Sequence, residues 1–134
     1  MNYAVASKQI IKYFAQQWNN LTKVAYPDVG FKPPNTETWV RLTIQNFDGY
    51  QASMGSPGSN RFRRKGLVTI QIFQKEGTAG LDALNKADAA VNIFRGVENA
   101  GIQYYDVQIK EIGNDGAGWY QINVLAYFQY DHIA

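Results

Sequence analysis

Few side chains in this sequence carry chemistry that a site could use. His132 is the one histidine and there is no cysteine, which removes thiolate nucleophiles, thiolate metal ligands and disulfides together. A general base needs a fixed orienting partner, and His132, two positions before Ala134, is expected to be solvated instead. Asp106, Glu111 and Asp115 flank one expected hairpin. With a single histidine, a transition-metal site would rest mostly on such carboxylates, and strand-end carboxylates reaching water account for them equally well. No serine sits in a nucleophile-elbow pattern. No catalytic constellation emerges, so the expectation is a protein that is not an enzyme and holds no cofactor or metal.

Two glycine-rich runs invite a phosphate-cradle reading. Gly113-Asn114-Asp115-Gly116-Ala117-Gly118 is followed by a strand pattern, whereas a dinucleotide or P-loop site needs its glycines before a helix N-terminus. The Asp-Gly step favours a hairpin turn. Gly77-Thr78-Ala79-Gly80 precedes a helix pattern but lacks the Gly-Lys-Ser/Thr ending, which leaves a weak anion site at best. The remaining candidate is basic: Arg61, Arg63, Arg64 and Lys65 stand within five residues with no acid among them. Such a run serves either as a charged strand entry that discourages edge pairing or as a contact for nucleic acid or an acidic protein surface.

The elements that must position these residues follow from hydrophobic spacing. Ile10, Ile11, Phe14, Trp18 and Leu21 form one apolar stripe, predicting a helix over 3–21 that ends near Asn19-Asn20, since β-prone Val24-Ala25-Tyr26 and Pro27 follow. Pro27, Pro33 and Pro34 make 27–38 a connector. Residues 39–47 alternate as a strand, with Val40, Leu42 and Ile44 inward. Residues 48–60 have little to bury and read as a flexible loop. A second strand over 61–73 turns Val68, Ile70 and Ile72 inward. A second helix runs from an N-cap at Thr78 to about Arg95, with Leu81, Leu84, Ala87, Val91 and Phe94 as its stripe. A third strand over 103–112 turns Val107 and Ile109 inward, and a fourth over 119–130 closes the hairpin.

The expected fold is therefore α+β: one domain over 1–134, ordered helix-strand-strand-helix-strand-strand, with a mainly antiparallel four-stranded sheet and two helices packed on one face. At 134 residues one core suffices without staples. No secretory leader pattern opens the sequence, and no stretch approaches the ~20 apolar residues that span a bilayer. A net charge of +2 is small for a strong sequence-independent pull on nucleic acid.

The last strand adds the most about function. Tyr120, Ile122, Val124, Ala126, Phe128 and Tyr130 fall on one side, and Trp119, Gln121, Asn123, Leu125, Tyr127 and Gln129 on the other. Two helices can cover only one face of the sheet. The other face would then present Trp39, Phe73, Trp119, Leu125 and Tyr127 among amides, a composition suited to a subunit or partner interface. A rival reading is a single-stranded nucleic-acid-binding module, using the aromatic sheet face and the basic loop.

The pattern as a whole resembles the tail terminator (minor tail, tail completion) proteins of long-tailed bacteriophages and prophages. The resemblance lies in Arg64-Lys65-Gly66 and the strand through Phe73, in Gly80 opening a helix with Leu84, Ala87 and Phe94, in Glu111-Ile112-Gly113, in the Asp115-Gly116 turn, and in Trp119 through Tyr130. The connector 27–38 and the loop 48–60 have no counterpart in it. The resemblance implies a virion tail protein, made in the host cytoplasm, that forms a homo-oligomeric ring, typically a hexamer, on the tail tube. That ring would stop tube growth and offer the surface for a head-completion protein, without cofactor or membrane. Arg61, Arg63, Arg64 and Lys65 would then line a lumen passed by DNA or meet the tube.

Overall fold

The computed structural model describes all 134 residues. Helix α1 spans Tyr3–Trp18 and buries Ala6, Ile10, Tyr13, Phe14 and Trp18. Asn2 caps it, its side-chain oxygen accepting from the Val5 N–H at 2.9 Å. The helix ends where expected, at Asn19, which turns left-handed (φ 49°, ψ 48°) and donates its N–H to the Ala15 carbonyl, so Leu21 of the apolar stripe lies beyond it. Leu21 is consequently exposed.

Seven strands follow: β1 (Lys23–Ala25), β2 (Trp39–Asn46), β3 (Tyr50–Gln51), β4 (Arg61–Lys75), β5 (Glu98–Asn99), β6 (Ile102–Asn114) and β7 (Trp119–Ile133), with helix α2 (Leu81–Phe94) between β4 and β5. They form one sheet in the order β1-β2-β4-β7-β6-β5, with β3 paired to β4. This corrects the expected four-stranded, mainly antiparallel sheet. The sheet is a seven-stranded, mixed half-barrel. β1 runs parallel to β2, and a parallel pair needs a crossover of about a dozen residues. The proline-bearing stretch 26–38 supplies it. The other pairings are antiparallel.

The four long strands lie where the alternation places them, and Val68, Ile70, Ile72, Ile122, Val124, Ala126 and Phe128 are wholly buried. They join the inward residues of both helices in one core cluster. Helix α2 starts later than expected. Gly80, in left-handed backbone (φ 69°), is its N-cap, and the Thr78 hydroxyl is engaged by Gln74. Gln74, itself buried, also accepts the Ala83 N–H through Oε1 at 2.7 Å, so a strand residue caps the helix. Leu81 is left exposed.

Ile109 also departs from its expected inward place. It pairs with buried Val124 yet is 38% exposed. It sits on β6, whose outer side pairs with β5 only at Ile102 and Gln103, between register shifts at Tyr104/Val107 and Glu111/Gly113. No helix is long and apolar enough to cross a membrane.

Candidate functional site

The sheet face turned away from the helices is built by alternation. Cross-strand partners share a face, so Trp39 opposite Phe73, Thr69 opposite Leu125, Leu67 opposite Tyr127, Gln71 opposite Asn123 and Lys75 opposite Trp119 all project together. Phe73, Trp119, Leu125 and Tyr127 are half-buried, with Trp39 stacked on Phe73 and Lys75 over Trp119. Tyr105 stacks on Tyr127 with ring centroids 6.2 Å apart. The amides between them pair locally: Gln121 Nε2 donates to Asn123 Oδ1 at 2.8 Å, and Gln129 Nε2 to Gln103 Oε1 at 3.0 Å.

Trp39 is the exception on this face. It is only 5% exposed, stacked on Phe73 and beneath Phe31 from the connector, 5.1 Å away. The chain seals this ring itself, so Trp39 is not part of the open surface expected from its parity. Its indole N–H is buried without a partner.

The open face is also cationic. Register places Lys23, Arg41, Arg61, Arg63, Lys65, Lys75 and Lys110 on it, against Glu98, Asp131 and Asp106, which accepts from Gln108 on this face, a net of +4 where the whole chain carries +2. Lys75 Nζ lies 5.2 Å from the Trp119 ring and the Arg41 guanidinium 5.5 Å from Trp39. Of the cations outside the 61–65 run, strand alternation already turns Arg41 and Lys110 away from the core; Lys23 and Lys75 join them in the structure. Strand parity with Trp39, Trp119 and Leu125 was the signal that could have grouped them.

The basic run itself is divided by the pleat. Arg61, Arg63 and Lys65 project on the open face, where Asp131 takes up two of them. Arg63 Nε donates to Asp131 Oδ1 at 3.0 Å, and Arg61 Nη1 lies 3.7 Å from Oδ2. The Arg63 hydrogen bond holds the Asp131 carboxyl below its usual range, and the same bond raises Arg63. Lys65 Nζ sits 5.6 Å from the Tyr50 ring.

Arg64 goes the other way, onto the helix side, directly opposite Tyr130. Its guanidinium lies 5.7 Å from the Tyr3 ring and 5.8 Å from the Phe62 ring, with no carboxylate paired to it. Beside it, Met1, Asn2, Tyr3, Tyr130 and His132 complete the wall of a cavity of about 120 Å³. His132 is tied down rather than free, its Nδ1 2.7 Å from the Met1 carbonyl; a carbonyl only accepts, so Nδ1 carries the hydrogen. Tyr130 is 3% exposed and its hydroxyl has no partner. Burial raises its pKa, so the phenol remains a neutral donor.

The segment 48–60 holds β3 and a hydrogen-bonded turn. Asn60 Oδ1 accepts from the Ser56 N–H at 3.1 Å, and the Asn60 and Ala134 backbones exchange a pair of bonds.

No protein-family model matches the chain. No curated protein matches it either. Solved structures share its fold. One, whose description states no activity, is 16% identical with a TM-score of 0.60, the match covering 95% of this chain and 94% of the other. A second is a chain of the "Virion of native gene transfer agent (GTA) particle", 18% identical with a TM-score of 0.54, covering 98% of this chain and all of that one. At these identities the likeness establishes the fold alone, a half-barrel with two helices matched over 95% and 98% of this chain.

Proposed function

We propose that this chain is a structural protein of a phage-type virion, and within it a tail terminator that closes as a homo-oligomeric ring, a hexamer, on the end of the tail tube. The observation that carries the reading is the sheet face away from both helices, on which Phe73, Trp119, Leu125 and Tyr127 stand partly exposed among amides. Such a surface needs a partner, and a closed ring supplies one without runaway growth. The end-to-end fold likeness to a virion chain supports the same setting. Its net positive charge suits an acidic tube surface or the path of DNA. A head-completion protein would dock on the opposite rim, and assembly would take place in the host cytoplasm.

Negative-stain microscopy of the purified protein, alone and mixed with tail tubes, tests this. Six-fold rings, free or capping tubes, are expected. Monomers that persist with tubes present would remove the proposal.

The seven cations on an aromatic sheet face favour one second reading, a single-stranded nucleic-acid binder. Binding of an oligonucleotide that weakens steeply with salt, and is lost on neutralising Arg61, Arg63 and Lys65, would select it.

A further inference from the structure

The cavity on the helix side, bounded by Arg64 and Tyr130, is separate from the open face and unused by the function proposed above. Four features converge on it. Arg64 brings a guanidinium held between the Tyr3 and Phe62 rings and free of any carboxylate. Tyr130 brings a hydroxyl buried without a hydrogen-bond partner, a state that folded proteins rarely tolerate unless a ligand or water meets it. Helix α1 begins at the cavity wall with Asn2 and Tyr3 and has no acidic residue in its first turn, so beyond the Asn2 cap the positive end of its dipole meets no negative charge. His132, locked through Nδ1 to the Met1 carbonyl, fixes the far rim.

Arg64, the Tyr130 hydroxyl and the helix end agree in sign and call for an oxyanion. Size narrows the class. At about 120 Å³ the cavity is roomy enough for a small polar group such as one carboxylate. Charge narrows it further. A nucleic-acid backbone is gripped by several cations in series, and Arg64 is the one cationic side chain in this wall. The other three of its run are on the opposite face.

We propose that this cavity is a receptor for one carboxylate, that of an aspartate or glutamate side chain presented by a protein partner. Arg64 supplies the charge, Tyr130 donates its O–H to one carboxylate oxygen, and Tyr3 and Phe62 hold the guanidinium in place. The site docks a partner from the helix side, leaving the open sheet face for ring contacts.

Amide NMR spectra of the full chain, titrated with a blocked aspartate against sodium chloride at matched ionic strength, test the site without needing any ring. Saturable shifts at Tyr3, Arg64 and Tyr130 are expected. The apparent Kd should rise at least tenfold in Arg64→Gln and in Tyr130→Phe, and stay unchanged in Lys12→Gln on the exposed side of α1. Tyr130→Phe keeps the ring and the fold, so its spectrum away from the cavity should overlay on the parent. Shifts no larger than those with chloride, or shifts surviving both substitutions, would overturn the proposal. Displacement of the blocked aspartate by oligothymidylate at the same residues would also overturn it, giving the site to nucleic-acid phosphate.

Discussion

Trp39 and Phe73 are direct cross-strand partners of β2 and β4, their rings stacked with centroids 4.3 Å apart and planes 17° from parallel. Phe31 stacks on the far side of the indole, and Trp119 meets it edge-on at 6.2 Å. This cluster anchors the proline-bearing connector to one end of the sheet. Trp39→Ala should therefore cost about 3–5 kcal/mol, the range for truncating a buried aromatic, read as a lower denaturant midpoint. Trp39→Phe should cost a fraction of that, because the indole N–H makes no hydrogen bond that the change would break.

Gly66 faces the core from β4 opposite Phe128. A methyl group there would run into the Phe128 ring and the Gln45 carbonyl. The backbone carbonyl cannot swing away, so Gly66→Ala should destabilise by about 1–3 kcal/mol, as overpacking does. Thermal unfolding of the variant beside Gly113→Ala would separate this crowding from backbone strain, since Gly113 has open space around it but a φ of 95°.

The Arg63–Asp131 pair should leave a signature in acid. The Asp131 carboxyl is held below its ordinary range, chiefly by the Arg63 hydrogen bond. A depressed folded-state pKa adds stability that is present above the unfolded value, near ~3.9, and is lost as pH falls through the folded value. Asp131→Asn should thus be less stable than the parent at neutral pH, with the gap closing as both are titrated below about pH 4. Both side chains are partly exposed, so the gap should also narrow in high salt. Urea unfolding at a series of pH values checks it.

The long elements were legible because each has one buried side. The alternation in β4 and β7 and the stripe in α1 named Val68, Ile70, Ile72, Ile122, Val124, Phe128, Ile10 and Phe14, all of them buried. The short strands were not legible: β1, β3 and β5 have two or three residues each, too few to show a period. Missing β1 meant missing the parallel pairing that makes the sheet mixed. The stop of α1 at Asn19-Asn20 was legible from the β-prone residues and Pro27 that follow, and left-handed backbone at both asparagines makes it. The basic run misled in a different way. Read along the sequence, Arg61 to Lys65 is one patch. Read with the pleat, Arg64 shares the inward parity of Val68 and Ile70 and leaves its neighbours for the other side of the sheet. The hydroxyl of Tyr130 gave no sequence signal, since its ring fits the core pattern.

The central claim is that the open sheet face is the contact surface of assembly. Sedimentation velocity over a wide concentration range, comparing the parent chain with a Leu125→Glu/Tyr127→Glu variant, tests it most directly. Both positions are half-exposed, so the melting temperature should stay within a few degrees, at most about 1 kcal/mol. The account predicts a discrete closed oligomer for the parent and a monomer for the variant. An identical state for the two, both assembled or both monomeric even with tail tubes added, would contradict it.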